Sequence, residues 1–224
     1  MKEFDIGYPH SGACRIVESD FRTIKNKVIA WGLGREYYDG DRVNGYGGFC
    51  YDGRWEKVIP NIVSEYGVGG KSAVLDVGCK KGFFLHDLKQ AFPGIKVRGV
   101  ENHPYPIENA MEFVKEDIVL SPYEKLPFKD GEFDFVLAFA SIYMLNFGNV
   151  MDALREIQRV SKGKSYVTLG AYHTIKDKEL FQEWTLLGTT ILHVDEWLDV
   201  FKEVGYTGDY FFTTAKSLHL VRKA

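Results

Sequence analysis

Residues 74–84 read Val-Leu-Asp-Val-Gly-Cys-Lys-Lys-Gly-Phe-Phe, and the order of residue types in this stretch sets the fold class. Val74, Leu75 and Val77 are apolar and β-favouring, the composition of a central parallel strand buried on both faces. Phe83, Phe84, Leu85 and Leu88 open a helical pattern, so the chain turns between Gly78 and Gly82. Glycine tolerates positive φ and carries no Cβ. A strand–turn–helix unit of this kind therefore lets backbone amides and a helix N-terminus come close to a bound molecule. Asp76 adds a carboxylate at the strand tip, an arrangement suited to a nucleoside with a cationic tail.

The spacing argues against a dinucleotide site. A G-x-G-x-x-G fingerprint needs two further glycines where Lys80 and Phe83 stand. Working outward, Lys96–Val100 reads as a second apolar strand ending in Glu101 and Asn102, before Pro104 and Pro106 restart a helix. A carboxylate at that strand end can accept hydrogen bonds from both hydroxyls of a ribose, which makes Glu101 the leading ribose candidate. Residues 133–139 follow the Asp130-Gly131 turn signal and are nearly all apolar, as a doubly buried strand should be. Val150, Leu154, Ile157 and Val160 share a helical face and lead into a strand at 166–169. Asp195 is a plausible N-cap for a helix over 196–204 that Gly205 ends, and 209–213 with 217–221 read as a closing antiparallel pair. Strands alternating with helices predict an α/β fold with a mostly parallel sheet covered on both sides.

Residues 74–84 resemble the first motif of class I S-adenosylmethionine (SAM) methyltransferases. The resemblance implies a Rossmann-like, seven-stranded sheet with a terminal antiparallel hairpin. It places Asp76 near the methionine end of SAM, passes the loop of Gly78, Cys79 and Gly82 beneath it, and assigns Glu101 and Asn102 to the ribose region. Lys80 departs from the commoner Gly-x-Gly-x-Gly form. Residues 117–128 resemble the adenine-contacting region; aligning Leu126-Pro127-Phe128 with the familiar Leu-Pro-Phe puts Pro122 at the usual aspartate position, leaving Ser121 or Tyr123 for that contact, with Asp117 as the alternative. The strand ending at Phe139 resembles the family's fourth, and residues 140–145 fall where methyl and acceptor meet. Tyr143 is the polar group there, able to orient or deprotonate an acceptor, although a tyrosine in an apolar run is commonly a core residue with its hydroxyl satisfied.

Before the first motif stands an arm of residues 1–70, ahead of a SAM-binding domain at 71–224. Its densest part, residues 37–55, is rich in tyrosine and glycine, a composition that packs rather than trails. It reads as a lid, with Tyr46 and Arg54 placed to bind the methionine carboxylate, since an arginine fork matches two oxygens. A helix from Trp55 to Tyr66 follows, with Pro60 as a potential kink. The Gly-Tyr-Gly-Gly and Tyr-Asp-Gly-Arg-Trp segments, residues 107–110, Glu183-Trp184 and Glu196-Trp197 resemble a bacterial methyltransferase subgroup of surface-polysaccharide and nucleotide-sugar gene neighbourhoods. Members commonly carry His-Asn-Leu where this chain has Tyr143-Met144-Leu145, so a histidine base is not carried over.

Composition agrees. The 224 residues are 45% hydrophobic and 15% aromatic with a formal charge of −3, enough for one domain with a substantial core. Lysine and arginine do not run together with aromatics, so a nucleic-acid substrate lacks electrostatic support, and a small-molecule acceptor is expected. A possible homodimer is compatible with the chain. The apolar runs are too short for a membrane span and the first residues lack a signal-peptide core, which predicts a cytoplasmic protein. Cys14, Cys50 and Cys79 indicate neither disulfides nor a zinc motif, and Cys79 reads as a filler. Of the six histidines, His10, His103 and His173 are candidates for the pocket mouth, while His86 reads as a helix residue and His193 and His219 as peripheral. No pair has metal-ligand spacing, so no metal is expected. His173, at the C-terminal edge of a strand, is the second candidate base after Tyr143. Two other classes stay open: another SAM-fold transferase, and a non-catalytic SAM-binding or partner-stabilising subunit.

Overall fold

The computed structural model describes residues 1–9, 12–18 and 21–223; the His10 candidate lies outside them. The chain enters through strand β1 (Arg15–Val17) and helices α1 (Ile24–Trp31) and α2 (Arg35–Tyr38), then passes a 3₁₀ turn at Arg54–Lys57 into α3 (Ile59–Tyr66). Strands and helices then alternate: β2 (Ala73–Val77), α4 (Phe83–Ala91), β3 (Lys96–Glu101), α5 (Pro104–Glu108), β4 (Ile118–Leu120), β5 (Phe135–Ala138), α6 (Phe147–Val160), β6 (Ser165–Tyr172), α7 (Ile175–Trp184), β7 (Leu192–His193), α8 (Val194–Val204), β8 (Asp209–Thr213) and β9 (Leu220–Arg222).

These strands build a seven-stranded sheet in the order β4-β3-β2-β5-β6-β7, with β8 also bonded to β6. Every pairing in it is parallel. β7 and β8 share one edge of β6: β8 lies along Tyr166–Gly170 and β7 continues along Ala171 and Tyr172. The strand alternation sorts the core into two layers. Leu75, Val77, Val136 and Val167 pack with Leu154, Ile157, Trp197 and Phe201 of α6 and α8. Val74, Val97, Phe135 and Leu137 pack with Ile59, Ile62, Phe84 and Leu88 of α3 and α4. This Rossmann-like α/β architecture matches the expected class. Burial on both faces accounts for an all-apolar β5 and for a β6 that is buried throughout, with Ser165 and Thr168 as its buried polar side chains alongside Tyr166 and Tyr172.

Three local expectations are corrected. The closing pair is not antiparallel: β8 runs parallel to β6, and β9 leaves the sheet to pair in parallel with β1. The intervening Thr214-Ala215-Lys216-Ser217 contains no glycine or asparagine for a tight hairpin. It forms a helical turn instead, with Leu218 N donating to Thr214 O at 3.0 Å and Thr214 and Ser217 bonding each other. Asp195 is not the cap of α8. His193 holds that position, its Nδ1 accepting from Asp195 N while Glu196 Oε2 accepts from His193 N at 2.6 Å. Pro60 kinks nothing, because it falls in the first turn of α3, where its missing N–H is not needed.

The arm is part of the same body. Phe4 N donates to Tyr210 O, α3 supplies core residues, and Tyr37 and Tyr38 pack against Leu186 and Leu187. Asp39 fastens the arm over the β2–α4 turn. Its carboxylate receives Lys81 Nζ at 2.8 Å and Tyr105 OH at 2.8 Å, with Phe49 N at 3.1 Å. Among the described residues, no helix is long and apolar enough to cross a membrane.

Candidate functional site

The turn after β2 is held by its own backbone. Gly78 N and Cys79 N both donate to Val100 O, drawing the tips of β2 and β3 together. Gly78 has φ +80°, and a Cβ there would stand 2.2 Å from Ser141 Cβ, so glycine is required twice over. Gly82, at φ +75°, begins α4. Lys80 adopts φ +55° and Ala140, across the same opening, φ +47°. Non-glycine residues in this conformation are strained, and such strain gathers at ligand sites.

Two cavities meet above this turn, of about 270 Å³ and about 440 Å³, the size range of small-molecule sites. Gly78, Lys80, Ala140, Tyr37 and Met144 border both. The smaller holds Glu101, Asn102 and Tyr123; the larger holds Asp76, Cys79, Phe139, Tyr46, Arg54 and Tyr143. Most of the predicted residues are thus brought together at the C-terminal ends of β2, β3 and β5, where ligands bind in open α/β sheets.

Glu101 is 2% exposed. Its Oε2 accepts from Lys80 N at 2.8 Å, and its Oε1 from Asn102 N at 2.9 Å and Tyr123 OH at 2.5 Å. Of these donors only the Tyr123 hydroxyl is on a side chain and able to move away. A carboxylate offers about four acceptor positions, so a ligand presenting two hydroxyls would take the free position and displace Tyr123.

Asp76 is 4% exposed and has no hydrogen bond or ion pair among the described residues. Burial pushes its carboxyl up to about 7, against the pull of the Lys80 ammonium and with some help from Glu101. Lys80 extends its side chain into the junction, where Nζ donates to Phe139 O at 3.1 Å and Gly78 O at 3.3 Å. Burial opposes its charge, but Tyr46, Asp76 and Glu101 outweigh that and hold its pKa above the ordinary value. A cation thus interacts electrostatically with two buried carboxylates while its hydrogen bonds go to backbone carbonyls.

The remaining candidates divide. Tyr143 is buried and lines the larger cavity. Burial raises its phenol far above the usual value, so at neutral pH it is a protonated donor and not a base. Phe139 walls the same cavity with Tyr8, their ring centroids 4.4 Å apart. Tyr46 stacks on Tyr38 at 5.8 Å. Arg54 reaches the cavity, but its fork is closed on Asp52, and its Nη1 donates to Tyr8 OH at 3.3 Å. The thiol of Cys79 is buried and pushed well above its usual range, as suits a filler.

His173 is not brought to the site. It is exposed beyond β6, and its carbonyl faces His193 Nε2 at 3.3 Å. Ser121 does not line either cavity, since its hydroxyl turns back to Lys125 O at 3.0 Å, and Asp117 pairs with Lys89 at 2.9 Å. His103 caps α5. Among the described residues, no cluster of histidine, cysteine, aspartate and glutamate is arranged to hold a metal.

Sequence reasoning missed Tyr8, the side-chain position of Lys80, and the 184–189 segment that closes the cavities from the C-terminal half. Lys80 had a visible signal, a lysine where the loop pattern wants glycine. The others did not, because long-range folding alone brings them in.

Residues 75–169 match the methyltransferase domain family. That stretch runs from β2 into β6 and contains Asp76 on β2, Glu101 on β3 and Tyr143 in the turn after β5. The chain is 30% identical over 132 residues to a malonyl-[acyl-carrier protein] O-methyltransferase of Legionella pneumophila, covering 57% of this chain and 45% of the relative. It is 27% identical over 134 residues to a ubiquinone/menaquinone biosynthesis C-methyltransferase of Geobacter, covering 55% and 54%. The chain spans about half the length of these curated relatives. Among solved structures, the YcgJ protein of Bacillus subtilis superposes with a TM-score of 0.53 at 20% identity, covering 65% of this chain and 66% of that one. A Methanococcus maripaludis protein superposes at 0.51 and 17% identity, covering 67% and 76%. The cofactor that this match implies is SAM.

The residues present fit SAM. Glu101 offers oxygens for the ribose hydroxyls, and the unpartnered Asp76 faces the cavity that would receive the cationic methionine end. Lys80 is the discordant element, since its ammonium shares the larger cavity with Asp76, to which SAM would bring a second cation. Replacing it with glycine should tighten SAM about tenfold, the effect of removing a like charge at several ångströms in a partly screened site. S-adenosylhomocysteine, a neutral thioether, should gain less. Calorimetry on parent and Lys80→Gly distinguishes this from simple crowding, which would change both affinities equally.

Proposed function

We propose that this protein transfers the methyl group of SAM to an oxygen or nitrogen of a small-molecule acceptor, in the cytoplasm. The observation that carries this reading is the pairing of Glu101 and Asp76. Two buried carboxylates stand at the tips of adjacent parallel strands, each opening into one of two joined cavities. SAM supplies an activated methyl on a sulfonium, which departs as a neutral thioether.

What this chain must add is position. Glu101 and Asn102 fix the ribose end and Asp76 the charged end, while the backbone of the Gly78–Gly82 turn supports the cofactor from below. Tyr143, a neutral phenol at the wall of the larger cavity, orients the acceptor by donating or accepting one hydrogen bond. The aromatic wall of Phe139, Tyr8 and Trp55 excludes water from one side. The sugar-nucleotide or polysaccharide-precursor acceptor, suggested by the subgroup resemblance, is the acceptor class we would screen first.

Calorimetric titration of SAM and S-adenosylhomocysteine, with NAD as the control, tests the reading. Micromolar binding of the first two and none of NAD supports it. Failure of both to bind overturns it and leaves a Rossmann-like fold with another ligand.

A further inference from the structure

Although the chain carries a net charge of −3, the larger cavity is lined by Arg15, Arg22 and Arg42 of the arm. None of the three has a carboxylate partner among the described residues. Each spends one nitrogen on a backbone carbonyl: Arg15 on Leu218 O at 2.8 Å, Arg22 on Trp184 O and Arg42 on Gly45 O. The guanidiniums of Arg15 and Arg22 lie over the same Trp184 ring, at 5.7 and 5.1 Å from its centroid. Arg22 Nε is buried with no hydrogen-bond partner.

The three cations feel one another. Burial and then Arg42 lower the pKa of Arg15, and burial, Arg42 and Arg15 bring that of Arg22 down to about 10. Uncompensated charge of one sign, partly desolvated at Arg15 and Arg22 and held there by carbonyls and an indole, is costly unless a ligand completes it. The methionine end of SAM does not suffice. Its carboxylate and ammonium cancel, whereas three guanidiniums call for several negative charges and several oxygens.

We infer that Arg15, Arg22 and Arg42 form a binding site for a phosphoryl group, a diphosphate by charge count, carried by the methyl acceptor. The inference rests on the methyltransferase reading and specifies its acceptor. Arg15 stands on β1, Arg22 just before α1 and Arg42 after α2, so the arm supplies the acceptor's anion site while the sheet supplies the cofactor's. Tyr143 and Met144 line the same cavity, which sets the acceptor's reacting atom near the methyl donor and its phosphoryl group on the arm side.

The test is titration of pyrophosphate into the parent protein, with and without saturating S-adenosylhomocysteine, and into Arg15→Gln, Arg22→Gln, Arg42→Gln and Arg22→Lys. Each glutamine variant should bind pyrophosphate tenfold or more weakly, since it loses a charge-assisted contact. Arg22→Lys, which keeps the charge but not the fork, should bind pyrophosphate more tightly than Arg22→Gln, which separates lost charge from lost folding. S-adenosylhomocysteine affinity should stay within about twofold throughout, because the arginines are assigned to the acceptor and not to the cofactor. No pyrophosphate binding by the parent overturns the inference, as do equal binding of malonate or a loss confined to S-adenosylhomocysteine. A parent that binds pyrophosphate but neither SAM nor its product would sink the methyltransferase reading and leave the anion site standing.

Discussion

Glu101→Ala is expected to weaken SAM and S-adenosylhomocysteine at least a hundredfold. Two ribose hydroxyls on a buried carboxylate are worth about 1.5–3 kcal/mol each, and each 1.4 kcal/mol or so is a factor of ten. The variant also strands donors that Glu101 now satisfies, Lys80 N–H and Tyr123 OH, and a buried unpaired donor costs about 1–3 kcal/mol. Part of the lost affinity could then come from a displaced loop. Glu101→Gln separates the two causes, since it keeps the shape and one acceptor oxygen but no charge. It should lose affinity by about tenfold with little change in melting temperature. Calorimetry and thermal unfolding on both variants provide the comparison. A Glu101→Ala protein that binds SAM as tightly as the parent would remove the ribose assignment.

That prediction was available from sequence because its chemistry is local. Asp76, Gly78, Glu101 and Phe139 all sit at strand ends that periodicity locates, and a parallel sheet puts those ends on one side of the molecule. Tyr123 and Ser121 show where locality stops. They are two residues apart, and only the backbone path after β4 decides that Tyr123 reaches Glu101 while Ser121 bonds Lys125. His173 failed for a related reason. It stands just past β6, but the chain turns there into α7, capped by Thr174, and the side chain is left in solvent. The terminal strands read as an antiparallel pair, and the family resemblance implies a hairpin. A strand pattern gives a strand but not its partner, and β9 pairs with β1, more than two hundred residues earlier in the chain, Leu220 opposite Arg15. The arginines of the arm were invisible as a group, because no spacing links residues 15, 22 and 42.

Asp76 makes the second large effect a function of pH. An ordinary aspartate has a pKa near 3.9 when unfolded, and burial raises Asp76 to about 7 in the fold. Between those values the folded protein keeps a proton that the unfolded chain has released, so folding stability falls as pH rises from about 4 to about 7 and is level above. About three pH units at roughly 1.4 kcal/mol each make this a difference of about 4 kcal/mol. The ligand-free parent should therefore melt at a lower temperature at pH 8 than at pH 5.5, and Asp76→Asn should remove that part of the slope. SAM reverses the preference. Its cationic end favours the carboxylate, so below pH 7 binding must expel the proton, and affinity should climb with pH by up to about tenfold per unit before levelling near 7. Titrations in two buffers of different ionisation enthalpy would count the released proton directly. The same SAM affinity at pH 5.5 and 7.5, or the same slope in Asp76→Asn, would disprove the link. Lys80 supplies the internal check: its ammonium pulls the Asp76 pKa down, so in Lys80→Gly the levelling point should move to higher pH, and stay unmoved if the two side chains are not coupled through the cavity.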